Sequence, residues 1–247
     1  MSASRTARER VRAELIREIT EIARTQLARE GAAGLSLRAV ARQMEMASSA
    51  IYRYFASRDD LLTTLIIDGY NAIGEAVEKA EAPCARDDYT GRWLAVCRAI
   101  RGWALAHPHE YALLYGSPVP GYRAPQDTVG PAMRDSLVYG RIIGDAHRAG
   151  VLTPPHGYPP PPESFAADAD GVREAVLPDV PDDVIARALT VWAALFGNVS
   201  FELFGQFNNV ITDRAAAFDH AMTCLARFVG LPARSSALEL PGGFTHF

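Results

Sequence analysis

Only three cysteines occur, Cys84, Cys97 and Cys224, too scattered for a disulfide framework or a zinc site. The opening stretch, MSASRTARERVRAEL, is basic and lacks the apolar segment of about 7–15 residues that a secretory signal needs. A run of about 18 apolar residues is missing too. The richest stretch, VWAALFGNVSFELFG at 191–205, carries Asn198 and Glu202. Strand-type alternation and internal repeats are absent. So are the G-x-S-x-G and H-E-x-x-H motifs, a glycine-rich phosphate loop and a Cys-His signature. His107 and His109 stand two apart and form no helical ligand pair, while Asp87-Asp88 and Asp182-Asp183 suit the starts of helices. These absences argue against an enzyme and against a bound metal or cofactor. They leave the expectation of a reduced, cytosolic, soluble protein with no membrane partner.

What is present is a lopsided charge. The 247 residues are 49% hydrophobic and 22% charged, with a net charge of −4. Residues 1–58 hold eleven arginines against six glutamates, a surplus of +5, and the remaining chain is correspondingly −9. A basic front on an acidic body suggests a polyanion-binding head attached to a body with another task.

The apolar period of 3.6 predicts helices almost throughout. Val11, Leu15, Ile19, Ile22, Ala23 and Leu27 share one face of a helix from about Arg8 to Arg29, which Gly31 and Gly34 stop. Ser36 caps a short second helix, with Leu35 and Val40 as a hydrophobic staple and Leu37, Val40, Ala41 and Met44 facing inward. After the turn Glu45–Ala47 comes a third short helix, in which Ile51 and Phe55 point inward. Ser48 stands where that helix can be capped. Ser57 caps the next helix, to about Lys79, with Asp59 and Asp60 in its first turn. Further helices are expected near 89–106, 109–115, 127–149, 182–207 and 212–229. Between them run GSPVPGYRAP and the proline-rich loop at 153–163, a semi-rigid linker or a proline-motif ligand. The expected divisions are a head at 1–55, a connecting helix at 56–82, a body at 83–230, and a tail at 231–247. The fold class is all-α.

Within ASSAIYRYFASRDDLL, Tyr52 and Tyr54 lie two apart and cannot share a helix face. With Ile51 and Phe55 inside, Ser48, Ser49, Tyr52, Arg53 and Tyr54 are turned out. A capped helix, a three-residue turn and a second helix with an exposed polar face make a helix-turn-helix, whose second helix enters the major groove of DNA. Small side chains at Ser48, Ser49 and Ala50 allow close approach to bases, and Tyr52, Tyr54, Arg53 and Arg58 can reach phosphates or base edges. A plain helical hairpin, with tyrosines covering its neighbours, would account for the same pattern.

Residues 8–66 resemble the DNA-binding head of the tetracycline-repressor (TetR) family of bacterial one-component regulators. The resemblance is carried by GLSLRAVARQM and by SSAIYRYFASRDDLL, which has the family's Tyr-x-x-Phe followed by Ser-Lys/Arg-acidic-acidic-Leu. It implies DNA contacts at Ser36, Arg38, Ser48, Ser49, Ala50, Tyr52, Arg53, Tyr54 and Arg58, and repression of an operator. The family commonly has glycine in the turn where this chain has Glu45, and a Ser or Thr cap where it has Ala47. A residue with a side chain at Glu45 would be strained if its φ were positive. The rest of the chain is similar to a C-terminal class of actinobacterial members, through WALAHPHEYALLYGSPVPGY (103–122) and VWAALFGNVSFELFG. That class usually has Trp followed by His-Gly, and here Trp192 is followed by Phe196-Gly197.

Two expectations concern the body. Helix 182–207 has Ile185, Leu189, Trp192, Leu195, Phe196, Val199, Phe201, Leu203 and Phe204 all around it, and small residues at Ala188, Ala193, Gly197 and Ser200. Such a helix fits a homodimer formed through the last two helices. Trp103, Tyr111, Tyr115, Tyr139 and Phe196 are expected to line a pocket for a small, largely apolar effector. The competing function is a helical adaptor with a vestigial DNA-binding head, which the carboxylate of Glu45 would suit.

Overall fold

The computed structural model describes residues 2–153 and 155–233, so most of the expected tail at 231–247 lies outside the described residues. Helices account for the regular structure, with no strand among the described residues. The elements are α1 (Ser2–Gly34), α2 (Leu37–Gln43), a 3-10 turn (Ile51–Arg53), α3 (Arg58–Glu81), α4 (Tyr89–Ala106) and α5 (Pro108–Tyr115). They continue with α6 (Val129–Ala132), α7 (Arg134–Arg148), α8 (Ala166–Ala175), α9 (Asp182–Leu203) and α10 (Arg214–Val229).

The apolar pattern sorts into two cores. In the head, Ile19, Ala23, Leu35, Leu37, Val40, Ala41, Ile51 and Phe55 close around Leu61, Leu62 and Leu65 of α3. Further along the same helix, Ile73 and Val77 join the larger body core, with Trp93, Ile100, Tyr111, Ile142, Ile143, Ile185, Leu195 and Met222. Helix α3 is therefore a member of both cores. The expected inner face of α1 holds from Ile19 onward, whereas Val11 is 60% exposed.

Capping follows the sequence closely. Ser36 accepts from the Ala39 amide at 3.4 Å, and Leu35 and Val40 are both buried beside it. Ser57 and Asp60 exchange backbone-to-side-chain hydrogen bonds of 3.1 Å, a complete capping box. Helix α1 breaks at Gly31, whose φ of 67° a side chain would resist. Helix α9 ends four residues earlier than expected because Gly205 turns left-handed at φ 85°.

Other expectations need correction. The helix foreseen at 127–149 is interrupted at Met133: α6 is a single turn and α7 begins at Arg134. Helix α8 was not foreseen; its only buried residue is Ala169, so AADADGVREA shows no apolar stripe. The third helix of the head is a 3-10 turn rather than an α-helix. Ala50 and Tyr54 donate to Ala47 and Ile51 three residues back, at 2.8 and 2.9 Å, and Phe55 alone reaches four residues, to Ile51 at 3.1 Å. Ser48 does not cap it, and Ala50, the cap residue, has no side chain able to do so. By length and composition α9 could cross a membrane, but Val184, Ile185, Val191, Leu195 and Val199 bury one side of it within the protein.

Candidate nucleic-acid interface and ligand cavities

Two buried anchors aim the head's outer face. Ile51 is fully buried and Phe55 nearly so, which leaves Ser48, Ser49, Tyr52 and Arg53 exposed, Tyr52 by 45%. Arg38 on α2 is exposed on the preceding helix, while Ala50 and Tyr54 are half-buried. Arg38, Arg42 and Arg53 enter no ion pair among the described residues, so the charge on this face stays available to an outside partner. Arg12, which the sequence did not single out, steadies the face from α1. Its guanidinium donates to the Arg53 carbonyl at 3.2 Å and lies 5.4 Å from the centre of the Tyr54 ring. Tyr54 is thus partly engaged inside the head. Glu45 has φ 55°, the left-handed conformation the sequence made conditional, and it is exposed on the turn.

Arg58, expected at a phosphate, is engaged within the head. Its Nε donates to the Leu35 carbonyl at 3.1 Å and its Nη2 to the Ala32 carbonyl at 2.6 Å. The third nitrogen, Nη1, lies 3.6 Å from an Asp59 carboxylate oxygen. Ser36 is likewise occupied: its hydroxyl caps α2, and its amide donates to buried Gln26 at 3.2 Å.

The five aromatic residues expected around an effector pocket meet differently. Tyr115 packs on Phe196 with ring centres 4.4 Å apart, Phe196 on Trp192 at 5.1 Å, Trp192 on Tyr139 at 5.2 Å, and Tyr139 on Trp93 at 5.0 Å. The hydroxyls have partners. Tyr111 bonds to the Phe196 carbonyl at 3.1 Å and Ser200 at 2.9 Å, and Tyr139 to the Ala188 carbonyl at 3.2 Å. Burial pushes the pKa of all three tyrosines, Tyr111, Tyr115 and Tyr139, upward. Trp103 stands apart, near His107, with its indole N–H buried and unpartnered. These rings pack on one another or on their neighbours between the helices, and Tyr115 also borders a cavity.

That cavity is a cleft of about 980 Å³ between the Gly31 break of α1, the end of α5 with its Ser117–Pro120 loop, and Phe204. A second cavity, about 300 Å³, lies under the 119–133 segment against Ile66 and Tyr70. Leu113 and Val119 line both. Behind them sits Asp135, 2% exposed. It accepts from the Ser136 amide at 2.7 Å and from the Tyr115 hydroxyl at 3.4 Å. Burial raises its pKa to about 6, against the lowering effect of those two donors. Among the described residues no cluster of three or more His, Cys, Asp or Glu could hold a metal ion.

The wider comparisons agree with this geometry. Residues 19–65 match the family described as bacterial regulatory proteins, tetR family, and residues 93–225 match the tetracyclin repressor-like C-terminal domain. The chain is 41% identical over 223 residues to the HTH-type transcriptional regulators Mb1846 of Mycobacterium bovis and Rv1816 of Mycobacterium tuberculosis. Those alignments cover 87% of this chain and 90% of each relative. Among solved structures, the regulatory protein SCO4313 superposes with a TM-score of 0.71 at 37% identity, over 88% of this chain and 97% of that one.

Proposed function

The chain belongs to the tetracycline-repressor family of bacterial transcriptional regulators, and on that premise we propose that it is a repressor, held as a homodimer on a palindromic operator and released by a small, largely apolar ligand. The observation that carries the DNA reading is the outward set Arg38, Ser48, Ser49, Tyr52 and Arg53, exposed over the buried anchors Ile51 and Phe55. Arg38 and Tyr52 suit phosphate oxygens, while Ser49 and Arg53 suit base edges. Ala50 and Tyr54, half-buried, support the face from behind. Selection of bound duplexes from a random pool tests this: two inverted half-sites about one helical turn apart are expected. Affinity for the selected duplex should fall steeply with salt, because each neutralised phosphate releases counterions. Salt-independent or absent binding would instead favour an adaptor, the reading that the exposed Glu45 carboxylate supports.

The dimer is supported by the outer side of α9 and the segment after it. Leu189, Phe201, Phe204 and Val210 are 41%, 51%, 47% and 74% exposed. Between the first two, Ala193 and Gly197 are exposed, and a side chain at Gly197 would meet nothing within the chain. Glycine mid-helix is costly, so its place there suits the close approach of a second copy. Sedimentation showing only monomer at micromolar concentration would remove the dimer.

For the ligand, the room lies beside Tyr115, in the head–body cleft and the smaller cavity next to it. Leu27, Ala112, Leu113, Pro118 and Val119 make the cleft largely apolar, and no arginine or lysine lines it. Occupancy there would separate head from body, and such a ligand shifts the balance only by preferring the DNA-free arrangement. Nile red, a neutral apolar dye, is a usable probe: its fluorescence should rise with the protein and fall in an Ala112→Trp variant. Unchanged dye binding in that variant would remove the cleft as the site.

A further inference from the structure

We propose that Arg58 is a positioning residue for DNA recognition, a clamp that holds the α1–α2 turn against the start of α3, and that it contributes no phosphate contact. The inference rests on the DNA-binding reading. The segment that faces DNA, 48–54, is slung between α2 and α3, and it has no side-chain cap of its own and mostly 3-10-type turns. Arg12 holds its far end at Arg53, and the rest of its pose comes from what fixes its two supports relative to each other. Buried Ile51 and Phe55 fix its depth. Its tilt requires a directional link, and Arg58 supplies one.

The geometry of that link is specific. Gly31 interrupts α1, which leaves the Ala32 carbonyl with only a long bond from the Leu35 amide, 3.4 Å. Leu35 immediately precedes the cap of α2. One edge of the Arg58 guanidinium, Nε and Nη2, spans both carbonyls at 3.1 and 2.6 Å. The remaining nitrogen faces Asp59. The two carbonyls take two of the five N–H groups, and Nη1, which keeps free ones, lies beside the Asp59 carboxylate, whose charge disfavours a phosphate there. Arg58 is also the first residue of α3, locked there by the Ser57–Asp60 capping box. The two ends of the clamp are thus a fixed helix start and the hinge of the preceding turn. A lysine could keep the charge but not the two-pronged fork.

The experiment uses the full-length protein with the duplex it selects from a random pool and a random duplex of equal length. Affinities are measured across a salt series for wild type, Arg58→Lys and Arg58→Met. For a clamp, both variants lose about tenfold or more on the selected duplex, equivalent to at least one charge-assisted hydrogen bond. Random duplex, which demands no particular tilt, is little affected, so the specificity ratio narrows. The slope of log affinity against log salt stays as in wild type, and lysine does not rescue. A phosphate ligand behaves otherwise: Arg58→Met lowers the slope by about one, weakens both duplexes alike, and Arg58→Lys restores binding. That result overturns the proposal. So does a fall in melting temperature with DNA affinity unchanged below it, which would make the clamp merely structural. Should Arg58→Met fail to fold, Arg58→Lys decides alone. A wild-type affinity indifferent to salt would refute the DNA reading itself, separately from the clamp.

Discussion

In the body three arginines, Arg92, Arg101 and Arg134, grip carboxylates of other helices, whereas in the head Arg38, Arg42 and Arg53 face outward with no ion partner among the described residues. Arg92, with 2% of its side chain exposed, bonds Glu81 at 2.6 Å and Asp145 at 2.9 Å, and Arg101 grips Glu202 through two bonds of 2.6 and 2.7 Å. Arg134 holds Glu78 in the same two-pronged way. Arg38, Arg42 and Arg53 have no such counterpart among the described residues, while Arg24 pairs with Asp68 and Glu110 and Arg58 takes carbonyls instead. The difference teaches that residue type alone does not assign a role. An arginine whose carboxylate lies within the chain belongs to stability, and one left without a partner is available for binding.

The comparison can be broken most forcefully at Arg92. Arg92→Leu removes a buried cation from both Glu81 and Asp145 and leaves Glu81 only the more exposed Arg86, and a loss of about 3–5 kcal/mol is expected in chemical denaturation. A loss no larger than that of a surface substitution would show that the body's ion pairs are ornamental.

Next in size is Asp135, the body's buried carboxyl without a cation. Its ordinary pKa, 3.8, belongs to the unfolded chain, and in the folded protein it is about 6. As pH rises the unfolded chain therefore loses the proton first. The stability tied to the neutral carboxyl is complete below about pH 4 and is lost as pH passes through 6, a change of about 3 kcal/mol. Asp135→Asn should melt with wild type near pH 4 and increasingly above it toward pH 7. A variant less stable than wild type at pH 7 would contradict the burial argument.

Arg53→Ala sharpens the other side of the comparison. It should weaken binding to the selected duplex by about 1–3 kcal/mol and relax sequence preference, with the melting temperature unchanged. Coupled loss of stability and binding would place Arg53 among the structural arginines. The smallest effect is expected at Glu45→Gly. Relieving φ 55° should stabilise the head by about 1 kcal/mol, and removing the carboxylate should modestly tighten DNA binding. Lower stability in that variant would mean the Glu45 side chain makes a contact worth more than the strain.

Short-range chemistry was legible in the sequence. Ser36, Ser57 and Asp60 cap as their positions require, and Ile51 and Phe55 point inward as their spacing demands. What could not be read depends on partners distant in sequence. Arg58 finds Ala32 and Leu35 across 26 and 23 residues. Tyr111 finds Phe196 and Ser200 across 85 and 89. Such pairings engage the Arg58 guanidinium and the Tyr111 hydroxyl within the chain, which residue spacing alone does not show. Helix α8 escaped notice for the opposite reason: its ten residues bury almost nothing, so no periodicity marks them.

One unbroken helix, α3, begins beside the DNA-facing turn and ends deep in the body. At 24 residues it is a stiff rod of about 36 Å, so each degree of tilt at its body end carries its head end by about 0.6 Å. Hydrogen bonds to base edges tolerate only a few tenths of an ångström, so a tilt of two or three degrees is already mechanically decisive. A regulator built on such a lever needs no large rearrangement in its body to change its grip. A repacking as slight as one rotated side chain against α3 is amplified into a misfit at the operator.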